Sequence, residues 1–188
     1  MAAVVFLNGC ANQPTASTSI ADWDSYQQRL QQQQHWQLSA KIGVRSPSDS
    51  GSALLSWQQT PTNYDMHLSG PLGQGSVRIK GNSEQVTLKQ AGKPTLSAPT
   101  AERLLQHALG WSAPLEQLKY WVRGLPAPIL PAQVEHNPQG VLASVKQSGW
   151  QLNFSRYRNV GDFLMPGKII ATQDELKLTL IVKDWVLE

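Results

Sequence analysis

Few residues in this 188-residue chain could do covalent chemistry, and one of them stands apart. Cys10 is the only cysteine, so no internal disulfide can form. It follows MAAVVFLNG, an uncharged apolar run ending in the small residue Gly9. Such a run reads as the end of a signal-peptide hydrophobic region. Leu7-Asn8-Gly9-Cys10 resembles the bacterial lipobox, the pattern read before lipid is attached to a cysteine thiol. Asn8 stands where a smaller residue is usual, and the basic stretch that opens most signal peptides is missing. The expected chemistry at Cys10 is acylation, with residues 1–9 the remnant of a signal peptide.

The remaining candidates point away from catalysis. His35, His67, His107 and His136 show no metal-ligand spacing. No nucleophile elbow and no phosphate-binding loop are present. His67 falls on the polar side of a strand pattern and His107 on a helix, where both are expected to be solvated. The chain is therefore read as no enzyme: no catalytic residue, no metal, and no cofactor other than a covalent lipid on Cys10. A net charge of +3 comes from basic residues scattered singly, which argues against nucleic acid as a partner. The composition, 40% hydrophobic and 15% charged, is that of a globular domain with a real core. Past residue 10, no stretch reaches the ~18 apolar residues of a transmembrane helix.

These residues need a scaffold to position them. Residues 11–21, ANQPTASTSIA, are small and polar and read as a tether behind Cys10. Asp22 to His35 places Trp23, Tyr26 and Leu30 at helical spacing behind a capping aspartate. From Trp36 the period changes to two. Trp36, Leu38, Ala40, Ile42 and Val44 alternate with polar residues, and so do Ala53, Leu55 and Trp57, then Tyr64, Met66 and Leu68. Val77 and Ile79, then Val86 and Leu88, continue it. Two helices interrupt: Thr100 to Leu109, carrying Leu104 and Leu105, and a second from Ser112 and Pro114 through Trp121 and Val122 to Gly124. GLPAPILP reads as a stiff connection. Alternation resumes at Val141, Ala143 and Val145, then Trp150, Leu152 and Phe154, a strand over Phe163–Thr172 bent at Pro166-Gly167, and finally Leu176 to Val182.

Nine to eleven antiparallel strands, apolar on one face, must curl around something. The expected fold is mainly β with helices: an incomplete, unclosed antiparallel barrel with a helical lid over a hydrophobic cavity. Residues 22–188 form that single domain. Acyl-chain cavity candidates on the inward pattern are Leu38, Ile42, Trp57, Met66, Trp150 and Phe154, with Leu105 from the lid. The alternative is a packed core holding no ligand. The turn SGPLGQG puts the bulky Leu72 at its tip, where turns are normally polar.

Several segments carry a resemblance. SWQQT (residues 56–60), GPLG (70–73), LKYWVRGLP (118–126), the Gly149-Trp150 strand start, and the ending LKLTLIVKDWVLE resemble, in order, the LolB family of outer-membrane lipoprotein receptors. The resemblance implies an outer-membrane lipoprotein, lipid-anchored and facing the periplasm. It would receive acylated lipoproteins from the periplasmic carrier LolA and insert their chains into the membrane's inner leaflet. Trp23, Trp57, Trp121 and Trp150 would line or support the cavity, and Leu72 would be the exposed leucine of a membrane-delivery loop. Partners would be the carrier, its cargo and outer-membrane lipid, with the receptor monomeric. Ala11, in place of aspartate after the cysteine, is compatible with export to the outer membrane. The rival reading is a lipidated scaffold or envelope assembly factor with a packed core and no acyl-chain transfer.

Overall fold

The computed structural model describes residues 19–47, 50–70, 75–109 and 112–188, the side chain of Leu109 excepted. Cys10 and Leu72 lie outside the described residues. The first element, helix α1 (Trp23–Gln32), starts where Asp22 accepts hydrogen bonds from the Asp24 and Ser25 amides, an N-cap that satisfies two orphan donors. Its buried stripe is Tyr26 and Leu30.

A meander follows: β1 (Trp36–Arg45), β2 (Ser50–Gln59), β3 (Tyr64–Ser69), β4 (Val77–Gly81), β5 (Val86–Gln90) and the short β6 (Leu96–Ala98). Burial follows the expected alternation, with Trp36, Leu38 and Ala40 in and Gln37, Ser39 and Lys41 out. Helices α2 (Ala101–Leu109) and α3 (Leu115–Trp121) come next, α2 lying on β5 and β6. The chain returns to the sheet as β7 (Ala132–His136), β8 (Leu142–Gln147) and β9 (Trp150–Ser155). The ribbon β10 (Arg158–Val160) with β11 (Phe163–Met165) precedes β12 (Lys168–Gln173) and the long β13 (Leu176–Leu187).

Eleven strands form one antiparallel sheet in the order β6-β5-β4-β3-β2-β1-β13-β12-β9-β8-β7. Strands β6 and β7 are its edges, so among the described residues the sheet curls without closing. One apolar cluster fills its inner side, joined by Tyr26 and Leu30 of α1, Leu104 and Leu105 of α2, and Leu115 and Trp121 of α3.

Three details depart from the sequence reading. The strand expected over Phe163–Thr172 is two strands in two sheets, because Pro166 cannot donate to a ladder and the Gly167 amide turns to the Ser155 and Arg156 carbonyls. The Val141-Ala143-Val145 alternation slips: Glu135 pairs with Ser144 but His136 with Leu142, so Ala143 is bulged out and Leu142 is fully buried. The GLPAPILP connection, read only as stiff, is buried in its first half, at Leu125 and Ala127, and exposed from Pro128 to Pro131.

Candidate functional site

The inner face of the sheet is the candidate site, and its walls are aromatic. Trp36 of β1 stands between Trp57 of β2 and Trp185 of β13, with ring centroids 5.1 and 5.4 Å away. A second pair, Trp121 of α3 and Trp150 of β9, lies 6.0 Å apart. Leu38, Trp57, Met66, Leu105, Trp121, Trp150 and Phe154 are all buried in the one cluster. Ile42 is half-buried and packs against it. Trp23 is also half-buried, but faces Tyr26 at 5.7 Å and the His136 ring at 4.8 Å. The four tryptophans singled out in the sequence therefore do not form one wall. Trp57 belongs to a trio, Trp121 pairs with Trp150, and Trp23 sits beside the β7–β8 turn.

Two buried polar side chains that hold the covering side, Arg123 after α3 and Gln147 of β8, had no part in the sequence reading of the site. Arg123, 3% exposed, follows α3. Its Nη1 donates to the carbonyls of Leu30 (2.9 Å) and Gln33 (2.7 Å), and its Nε to that of Lys119 (2.9 Å). The guanidinium also lies 5.4 Å from the Tyr120 ring and 5.9 Å from that of Trp36, within cation–π range. Burial pulls its pKa down to about 10, partly offset by Tyr120, so it remains a cation at neutral pH. It caps the carbonyl ends of two helices at once.

Gln147, 2% exposed, closes the other end of the segment that follows. Its Oε1 accepts from the Trp121 indole N–H (2.8 Å) and the Ala127 amide (2.9 Å). Its Nε2 donates to the carbonyls of Ala127 (2.9 Å) and Leu130 (3.0 Å). Residues 123–130 thus form a strap across the inner face. Arg123 fixes it near the start of β1, and Gln147 fixes it at the opposite end of the sheet. Both signals were present in the sequence. Arg123 sits at a helix end with no acid beside it, and Gln147 is in phase with Val145 on an inward pattern.

Tyrosines complete the polar framework. Tyr26 donates to the Leu164 carbonyl at 2.7 Å, and burial pushes its pKa up to about 12. Tyr157 donates to the Leu142 carbonyl at 2.8 Å and is also raised by burial. The Trp185 indole N–H is buried without a hydrogen-bond partner among the described residues. His67 is exposed and shares a 2.8 Å hydrogen bond with the Ser76 hydroxyl. Among the described residues, no three His, Cys, Asp or Glu side chains are grouped so as to hold a metal ion. No helix among them is long and apolar enough to cross a membrane.

The interior therefore offers an apolar, aromatic surface, with the Arg123 guanidinium beside Trp36 as its buried cation, to a ligand of apolar character. Known proteins share this fold or this sequence. A solved LolA-superfamily protein from Nitrosomonas europaea superposes with a TM-score of 0.55 at 10% identity, covering 87% of this chain and 94% of the other, which shows the common fold. An outer-membrane lipoprotein LolB from Cellvibrio japonicus is 46% identical over 186 residues, 96% of this chain and 91% of that protein. A LolB from Pseudomonas paraeruginosa is 36% identical over 188 residues, 97% of this chain and 92% of that protein. The family model for outer membrane lipoprotein LolB matches residues 34–185, from the end of α1 to the aromatic trio's Trp185. With the family model spanning most of the chain and relatives 46% and 36% identical over nearly all of it, this chain belongs to the LolB family of outer-membrane lipoproteins.

Proposed function

We propose that this chain is a lipid-anchored receptor of the outer membrane that accepts acylated lipoproteins from the carrier LolA and passes their chains to the inner leaflet. The observation that carries the reading is the charge-poor aromatic interior of an open sheet, spanned by a strap and two short helices, in a chain of this family. Cys10 bears the covalent lipid, residues 11–21 tether the domain, and residues 22–188 handle the cargo. The acyl chain enters among Leu38, Ile42, Trp57, Met66, Leu105, Trp121, Trp150 and Phe154, with Trp23 supporting α1 from outside. Leu72 is the loop residue that meets the membrane.

The physics suits a transfer between apolar sites. Each buried CH₂ is worth about 0.8 kcal/mol, so a chain released into water faces a barrier that grows with its length. Passing it directly from cavity to cavity avoids that barrier. Direction then follows from affinity alone: weakest in the carrier, tighter here, tightest in the bilayer. In the packed arrangement described, helices and strap must move aside to admit a chain. The burial gained by one leucine, about 1.5–3 kcal/mol, is too small to anchor a protein but enough to bring a loop briefly into the bilayer surface.

The test is a two-step transfer assay with the full chain, the carrier and an acylated lipoprotein. The unaltered chain is expected to take the cargo and release it to vesicles. Leu72→Glu is expected to take it and retain it. Failure of the unaltered chain to take cargo at any carrier ratio overturns the reading in favour of a scaffold.

A further inference from the structure

We infer that Ile129 and Leu130 form a second membrane-contact point, a prong that enters the surface of an anionic phospholipid bilayer beside the apolar interior. The inference rests on the reading above, that the chain delivers acyl groups to a bilayer.

Ile129 is fully exposed, at 101% of its reference area, and Leu130 is 42% exposed. Ile129 also has φ 71, a left-handed conformation that β-branched residues rarely adopt. Such backbone persists only where its surroundings impose it. Here the imposing group is Gln147, whose buried amide grips Ala127 through both backbone atoms and Leu130 through its carbonyl. The fold commits a buried side chain to holding an isoleucine out in solvent. The same Gln147 oxygen accepts from Trp121, which pairs with Trp150 in the interior. An open surface groove of about 480 Å³ lies beside the prong, lined by Pro131, Gln133, Lys146, Gln147, Trp150 and Gln151 among others. The prong is therefore linked through one side chain, Gln147, to the aromatic pair of the interior.

The ladder registers place the prong relative to the membrane loop. Ala132 pairs with Gln147, Gln147 with Trp150, Gln151 with Thr172, Lys177 with Arg45, and Leu54 with Ser69. Ile129 and Leu130 are thus at the same end of the sheet as the β3–β4 turn that contains Leu72. Arg45 and Lys177 are paired at that end, with Lys89, Lys93 and Lys146 close to it and, among the described residues, Asp174 and Glu175 as the acids. An excess of cations around exposed apolar side chains matches anionic headgroups over an acyl interior. A protein partner fits less well. Two side chains fall far short of a specific interface, and Pro128 and Pro131 lack the N–H groups that strand addition uses.

The anchor permits this orientation. The Ile20 amide donates to the Gln139 carbonyl at 2.7 Å, so the tether leaves from the opposite end of the sheet. The stretch from Cys10 to Ile20 spans at most about 33–36 Å, close to the roughly 33 Å length of β1. A domain held at Cys10 can therefore turn the prong to the bilayer.

The experiment uses the full lipidated chain in phosphatidylethanolamine–phosphatidylglycerol vesicles. With the Cys10 thiol consumed by lipid, a dye on Ile129→Cys reports the prong, and one on Thr62→Cys, at the far end of the sheet, serves as reference. Nitroxide-labelled lipids are expected to quench the dye at position 129 at least about threefold more than at 62. Equal quenching overturns the inference. In the transfer assay, Ile129→Asp with Leu130→Asp is expected to leave the thermal midpoint and cargo uptake unchanged and to slow release to vesicles by about fivefold. Reduced uptake with normal release from preloaded protein also overturns it, by making the prong a carrier contact. Failure of the parent reading looks different: the unaltered chain then takes no cargo, while the quenching still decides whether the prong meets lipid.

Discussion

The two sides of the apolar interior are held by different forces. The wall built by β1 to β5 buries Trp36, Leu38, Ala40, Leu55, Trp57, Met66, Ile79, Val86 and Leu88, with Gln59 as its buried polar side chain. Its stability comes from ladder hydrogen bonds plus non-directional burial. The covering side is placed by directional bonds from two buried polar groups, Arg123 and Gln147, to carbonyls and amides of the strap and helix ends. Burial tolerates small shifts, whereas such bonds are made or lost as a set. If the interior opens for a ligand, the difference locates the opening on the covering side, since moving the sheet would break whole ladders.

Four measurements break or sharpen this contrast, all but one by chemical denaturation. Trp57→Ala has the largest expected effect, about 3–5 kcal/mol, because it empties the wall beside Trp36. Gln147→Leu comes next, at about 2–4 kcal/mol, since it orphans the Trp121 indole, the Ala127 amide and two carbonyls. A loss under ~0.5 kcal/mol there would remove the distinction between the two sides.

The third is an alkaline titration. Tyr26 and Tyr157 hold phenol pKa values above the ordinary 10, chiefly through burial. A raised folded-state value means the unfolded chain loses its protons first. Their stabilisation is therefore complete below about pH 10 and fades as pH climbs towards the folded values, about 12 for Tyr26. With the other two of the four tyrosines replaced, as Tyr64→Phe and Tyr120→Phe, tyrosinate absorbance should rise together with loss of circular dichroism. Its appearance in that variant while still folded would mean these phenols are not held as described.

The smallest effect is expected on the outer face. Arg78 donates to both Asp65 oxygens, at 2.8 and 2.6 Å, and Lys80 lies 3.2 Å away. The Arg78 hydrogen bonds hold the Asp65 carboxyl below its usual range, with Lys80 adding to the effect. That contribution is present above the ordinary carboxylate pKa and lost as pH falls through the lowered value. The pair is exposed, so Asp65→Asn should cost under about 1 kcal/mol, and less in high salt.

Much of the architecture was legible in the chain. Period-two alternation marked β1 to β5, β9 and β13, Asp22 marked the start of α1, and the LolB segments named the family. These are local signals, carried by neighbours in sequence. What escaped was non-local. Burial of the strap depends on Arg123 meeting carbonyls at 30 and 33 and on Gln147 meeting residues 127 and 130. Composition alone made that segment a proline-rich link. The Ala143 bulge exists because β8 must match β7, and the split at Pro166-Gly167 because one strand serves a ribbon and the next the main sheet.

By itself, then, the sequence determined which faces are apolar and where the chain turns, because alternation and turn chemistry act over a few residues. The tertiary structure decided what those faces enclose. It separated Trp57 from Trp121 and Trp150, drew the strap across the interior, and turned Ile129 outward. Each outcome depends on a side chain finding partners distant in sequence, which no local pattern encodes.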